Sequence, residues 1–179
     1  MNKTINKIDP TTTLGTPPII SRIQRNHGLE HATMHILAQR NPRSGIAGHS
    51  DMSGFWIVGD VPTEELTTAI HEALQRMLAG EQQLAIHPNC GTNFAVSGII
   101  AGIAAFIGMW GSGNSWRTKL ERLPLVATLA TLGIILSQPL GYRLQERVTT
   151  SGKPGDLEIV AIKPTRRGSV TAHRILTRG

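Results

Sequence analysis

Two stretches of this 179-residue chain carry no charge, and they constrain its fold more than any other feature. Residues 94–110 read FAVSGIIAGIAAFIGMW, and residues 123–142 read LPLVATLATLGIILSQPLGY. Each approaches the ~20 apolar residues that cross a hydrocarbon core. Trp110 and Tyr142 close them as interfacial aromatics do. Core helices of a soluble protein would show the same pattern, but the rest of the chain has too few apolar residues to cover two such runs. A transmembrane hairpin is therefore expected. Gly98, Gly102, Ala105 and Gly108 give the first run a small-residue stripe suited to close helix packing. The connector, residues 111–122, is short, so the runs are antiparallel and their polar ends share one side.

The charge distribution supports a bilayer as partner and argues against nucleic acid. The net charge of +6 and a pI near 10.2 would ordinarily suggest a polyanion. Up to Thr92, however, acids slightly outnumber bases, and the excess lies after Trp116, mostly beyond Gly141. Basic residues flanking apolar segments suit anionic lipid headgroups. Aromatics make up only 4% of the chain, too few for base-stacking platforms. Arg117, Lys119 and Arg122 lie in the connector and Arg143, Arg147 and Lys153 follow the second run, so the positive-inside rule does not choose an orientation. Residues 1–24 are polar and carry Pro10, Pro17 and Pro18, with no apolar core of the required length, so no cleavable signal peptide is expected there. With a single cysteine, Cys90, this favours an integral protein of the bacterial cell membrane with its polar portion in the cytoplasm.

The polar portion reads as α+β. Residues 1–20 are expected to be a disordered arm. Residues 21–92 should form a small α+β part, residues 93–143 the hairpin, and residues 144–179 a C-terminal β-hairpin packing on the polar part. In more detail, residues 19–40 have a helical pattern that Pro42 stops. Residues 45–49 and 54–58 are strand candidates joined by a turn. A second helix spans residues 63–79, opened by Pro62 and closed by Gly80. Residues 83–87 are a brief extended piece, and residues 157–163 and 168–176 are a strand and its hairpin partner.

One pentad carries most of the chemistry. Residues 27–31 read His-Gly-Leu-Glu-His, which places His27 and His31 four apart on one helix face with Glu30 beside them. This is the H-x-x-E-H order in which two histidines hold zinc and the glutamate acts as base. His35 extends the same stripe as a neighbour rather than a ligand. A third ligand must come from elsewhere, and residues 87–93 (HPNCGTN) supply candidates just before the first apolar run. His87 and Cys90 are separated as two residues of a turn that reach one metal, with Pro88 and Gly91 shaping that turn. A thiolate at Cys90 is the softest ligand available. His71, His49 and His173 have no partner motif, and the chain contains no G-x-S-x-G, Walker or Rossmann fingerprint.

The pair HGLEHATMH and HPNCGTNF, the latter leading into an apolar span, resembles an uncharacterised bacterial membrane family, the YqhQ-type proteins. Those carry a similar H-G-A-E-H segment and later an H-P-R-C-G-T-x-F segment entering a membrane helix. The likeness covers roughly residues 22–110. Leu29 stands in place of that family's small residue, Asn89 in place of its arginine, and only one hairpin is present. The resemblance implies that His27, Glu30, His31, His87 and Cys90 belong to one site.

Three readings follow. In the first, the chain is a membrane-anchored zinc protein with His27, His31 and His87 or Cys90 as ligands and Glu30 as general base. It would be a metallohydrolase of peptidase type acting on a membrane-proximal peptide or lipid. In the second, the four ligands close the site and the metal is structural, within a scaffold or assembly protein. In the third, the histidines never meet Cys90; side chains of His31 and Cys90 more than ~10 Å apart would establish it, because metal bonds are about 2 Å.

Overall fold

The computed structural model describes residues 18–43, 45–168 and 170–179. The arm expected over residues 1–20 lies outside the described residues except for its last three, which are helical. Among the described residues the chain is an α+β structure of four α-helices and one four-stranded antiparallel sheet. Helix α1 (Pro18–Arg40) leads into the hairpin of β1 (Ala47–Asp51) and β2 (Gly54–Val58), and helix α2 (Thr63–Leu78) follows. A 3-10 turn (Gln82–Ala85) connects α2 to the apolar helices α3 (Gly91–Met109) and α4 (Trp116–Leu144). A π-helical turn (Gln145–Thr149) ends α4, and β3 (Glu158–Arg167) and β4 (Val170–Arg178) complete the sheet.

The strand order is β1-β2-β4-β3. The chain therefore leaves the sheet after β2, makes the helical hairpin, and returns to insert β4 beside β2, with Ile57 opposite His173 and Phe55 opposite Ile175. Those four side chains are buried and face the helices, while Trp56 and Arg174 occupy the other face, the guanidinium 5.2 Å from the ring. Helix α1 presents opposite faces to two environments. Leu29, Ala32, Ile36 and Leu37 enter the core with Leu66, Ile70 and Met77 of α2, whereas His27, Glu30, His31 and Met34 line a cavity. Arg40 binds Glu72 at 2.6 Å and ties the end of α1 to the body of α2.

The helical hairpin is built differently. Helices α3 and α4 pack along their length and are long and apolar enough to cross a membrane. Their outward side chains are exposed, Ile99 at 64% and Leu136 at 72%. The small-residue stripe expected on the first helix is only partly used. A Cβ at Gly108 would meet Val126 and Leu129 at 3.2 Å, but one at Gly98 or Gly102 would meet open space. The second helix supplies the other close approaches, with Gly133 against Ala101 and Gly141 against Asn93. Ser97 and Ser137 share a hydrogen bond of 2.7 Å across the pair.

Some expected boundaries move. The connector shrinks because α4 starts at Trp116, its charged first turns supported by the i,i+4 pair Arg117–Glu121. The piece expected to be extended, residues 83–87, is mostly the 3-10 turn, since Leu84 and Ala85 must curl inward to reach the core. Strand β1 begins two residues later than expected, and β3 and β4 each run further, held by cross-strand pairing to Arg167 and Arg178.

Candidate metal centre

Three ligand atoms converge where α1 passes the start of α3. One nitrogen from His27, one from His31 and the Sγ of Cys90 all lie within 4.8 Å of one another. His27 Nε2 is 3.6 Å from Cys90 Sγ, which is about the ligand–ligand spacing of a tetrahedral ion with bonds of 2.0–2.3 Å. The arrangement excludes the reading in which the histidines and Cys90 never meet. The cluster could hold a metal ion.

Backbone carbonyls set the histidine tautomers. His27 Nδ1 donates to the Thr149 carbonyl at 2.9 Å, and His31 Nδ1 donates to the Ala85 carbonyl at 2.7 Å. A carbonyl only accepts, so each Nδ1 carries the proton and each Nε2 is left with its lone pair. This is the second-shell pattern that orients metal-binding imidazoles. His87 is held the other way: its Nδ1 accepts the backbone N–H of Asn89 at 3.2 Å, so a neutral ring has its proton on Nε2. His87 is buried beside the cluster, its ring centroid 5.5 Å from His31 and 4.8 Å from His35, and is not among the three converging ligands. His35 donates Nε2–H to the Ile86 carbonyl at 2.8 Å. His49 and His71 are exposed, and His173 is buried in the sheet against Thr63, 2.9 Å from its hydroxyl.

Glu30 occupies the same cavity as the cluster, which measures about 780 Å³. The residue is 3% exposed, and its Oε2 has no hydrogen-bond partner. Burial pushes its carboxyl up to about 7, against the pull of His27 and a hydrogen bond from Ser50. A polar atom buried without a partner costs free energy unless something completes it, and a carboxyl poised near neutrality suits proton transfer. Gly48 explains how Glu30 fits: a Cβ there would lie 2.1 Å from Oε1, so only glycine lets the carboxyl reach under β1. Gly28, inside the pentad, has a similar role, because a Cβ would lie 2.1 Å from the Ser151 carbonyl.

The thiol and imidazoles respond to the same burial. Burial pushes the Cys90 thiol up, but hydrogen bonds with His31 and Thr92 outweigh it and leave the group below the ordinary thiol range. Burial lowers His31 despite the opposing bonds to Cys90 and Ala85. His87 is also lowered by burial, with His35 adding to the shift. Neutral imidazoles and an acidified thiol are the protonation states that metal binding requires.

A second layer, which no sequence motif marked, holds the turn of residues 87–90 in place. Gln145 is fully buried and clasps the His87 peptide group. Its Oε1 accepts the His87 N–H at 2.9 Å, and its Nε2 donates to the His87 carbonyl at 3.1 Å and to Asn93 Oδ1 at 2.8 Å. Asn93 Nδ2 in turn donates to the Pro88 carbonyl at 2.8 Å. Gln145 and Thr149 bound one π-helical turn, so that single irregularity braces the Cys90 turn and orients His27. Such turns concentrate at functional sites. The one available sequence signal was a glutamine, uncharged yet polar, directly after an apolar helix.

An apolar helical hairpin rooted in an α+β head, with a His-His-Cys cluster at the junction, defines the class. The chain belongs to a domain family of unknown function, DUF6391, which matches residues 22–162. It is 32% identical over 142 residues to an uncharacterized protein of Picosynechococcus sp.. That match covers 72% of this chain and 66% of the relative, so the chain spans just under two thirds of its length. No solved structure matches the chain.

Proposed function

We propose that this protein is a membrane-anchored zinc metallohydrolase of peptidase type, with His27, His31 and Cys90 as ligands and Glu30 as general base. The observation that carries the reading is the convergence of two Nε2 lone pairs and one sulfur beside an open cavity that also contains an unpartnered buried carboxylate oxygen. Imidazole and thiolate ligands favour zinc over harder cations. Three protein ligands leave a fourth position for water, as catalytic zinc sites do. When bound, the zinc supplies Lewis-acid polarisation and lowers the pKa of water. Glu30 then takes the proton from the attacking water and returns it to the leaving group. His87, whose neutral ring carries its proton on Nε2, also lines this cavity and would support a developing oxyanion.

Helices α3 and α4 anchor the protein in the bilayer, and the polar head, with the site at the membrane surface, faces the cytoplasm. Cys90 immediately precedes α3, which supports a site at that depth. Substrates are membrane-proximal peptides or lipids. Kinship with the YqhQ-type proteins, through the HGLEH and HPNCGTNF segments, belongs to this reading. One observation favours a second reading, a closed structural site: His87 lies next to His31 and would complete four ligands if its ring turned over. The Glu30→Gln variant separates the two. If the enzyme reading holds, zinc remains and function is lost; if the site is closed, zinc remains and function is unchanged.

A further inference from the structure

Strand β1 is the outermost strand of the sheet, paired with β2 along one side only. Among the described residues no strand takes its other edge. Free edges are normally blunted by lysine, proline or a bulge. This one has none of them: its sequence is Ala-Gly-His-Ser-Asp, and its register with β2 runs without a shift. The edge is also placed at the candidate site. Ala47, Gly48, His49 and Ser50 line the same cavity as His27, His31 and Cys90. Gly48 and Ser50 meet Glu30 directly, one by lacking a Cβ and the other by its hydroxyl.

We infer that the free edge of β1 binds an extended peptide as an added strand, laying one of its peptide bonds across the His27–His31–Cys90 cluster beside Glu30. The inference rests on the metallohydrolase reading and names its substrate class. A strand added to a sheet lies about 4.8 Å from its neighbour, so a peptide paired with Ala47–Ser50 runs through the cavity rather than over the outside of the head. Main-chain hydrogen bonds would supply affinity, and pockets for alternate side chains would supply selectivity. The cavity lining also includes Ile23 and Met34 and the exposed Ile20 and Val148, which would accept an apolar side chain. Among the described residues no lysine or arginine lines the cavity. That composition suits a neutral peptide better than an anionic lipid headgroup, which would find no guanidinium or ammonium there to pair with. Gly91, Thr92 and Thr149, at the hairpin ends, complete the lining and restrict the substrate to segments close to the bilayer surface. In the reaction, the water oxygen bonds to the scissile carbonyl carbon as the C–N bond breaks, and the proton that Glu30 removes from water passes to the leaving amine.

The test uses the full chain in nanodiscs, with Glu30→Gln to prevent turnover, with and without added zinc. The probe is a mixture of uncharged heptapeptides built from Ala, Leu, Val, Phe, Ser and Thr, alongside the same mixture N-methylated at alternate residues. Hydrogen exchange should show new protection confined to residues 47–50. N-methylation, which removes strand-pairing donors without touching the protein, should weaken binding at least tenfold. No protection, protection elsewhere, or equal binding of the N-methylated mixture overturns the inference. So does protection of the cavity by phosphatidylglycerol vesicles in place of peptide. Peptide protection at residues 47–50 in a protein that takes up no zinc supports the edge site and overturns the metallohydrolase reading instead.

Discussion

The head and the hairpin meet in a few residues but solve the problem of burying chain in opposite ways. The hairpin contains little buried polarity; two serines bond to each other, and its helices approach through Gly108 and Gly133 while large apolar side chains face outward. The head buries Asn26, Glu30, His31, Thr33 and His173 among its core residues. Almost all of those polar groups are paired within the head, as Asn26 is with Asp51 and Thr177. Glu30 Oε2 and His173 Nδ1 are not. Buried polarity is expensive unless satisfied. Much of it lies on α1 beside the candidate site, whereas the hairpin's plainness fits two helices long and apolar enough to cross a membrane.

The sharpest contrast should appear in truncations of large apolar side chains. Phe55→Ala removes a fully buried ring from β2 and should cost about 3–5 kcal/mol. Ile99→Ala, on the outward face of α3, should leave detergent-solubilised stability unchanged; thermal unfolding of the two variants measures the difference.

Glycines come next. Alanine normally stabilises a helix relative to glycine by about 1 kcal/mol, and Gly98→Ala should follow that rule because the site is open. Gly28→Ala should reverse it, losing about 1–3 kcal/mol, because the Ser151 carbonyl occupies the space. Denaturant midpoints of both variants report the sign. Equal behaviour would show that the passage of residues 149–151 over α1 is less close than described.

The clasp at the junction should affect the metal more than the fold. Removing its hydrogen bonds with Gln145→Ala should lower zinc affinity by about 10–100-fold, the usual cost of losing an outer-shell partner. Competition with a chromophoric chelator measures this, and loss of folded protein would instead assign Gln145 to the scaffold alone.

The smallest effect concerns pH. Burial lowers the pKa of His173, so the folded state holds it neutral while the unfolded chain takes up a proton near pH 6.5. The stability this confers is present above the unfolded pKa and is lost as pH falls through the folded value. His173→Gln should flatten the decline in stability below about pH 6.5, as read from urea titrations across that range.

Much of this organisation was legible from pattern alone. The hairpin followed from two uncharged runs, and α1 and α2 from helical spacing bounded by prolines. Two of the three converging ligands lay in one pentad, and Cys90 stood out as the single thiol beside an apolar span. What stayed hidden depends on long-range geometry. No local signal says that β4 inserts beside β2, because that pairing joins residues more than a hundred positions apart. Gln145 was hidden for the same reason: its partners are the peptide group of His87 and Asn93, over fifty residues earlier. The tautomer of His87 could not be read either, since it is fixed by a backbone N–H two residues away in a turn whose shape the sequence does not state. The glycine stripe misled because small residues permit close packing without requiring it; the partner helix used Gly108 and ignored Gly98 and Gly102.

Metal analysis tests the central claim most directly. The full chain, purified in detergent and dialysed against micromolar zinc, should retain close to one zinc per chain, and His31→Ala and Cys90→Ser should each lose it while remaining folded. Cobalt substitution should add a thiolate-to-metal absorption band that Cys90→Ser abolishes. A wild-type chain that retains no zinc, or a Cys90→Ser variant that retains as much as wild type, would contradict the His27–His31–Cys90 site.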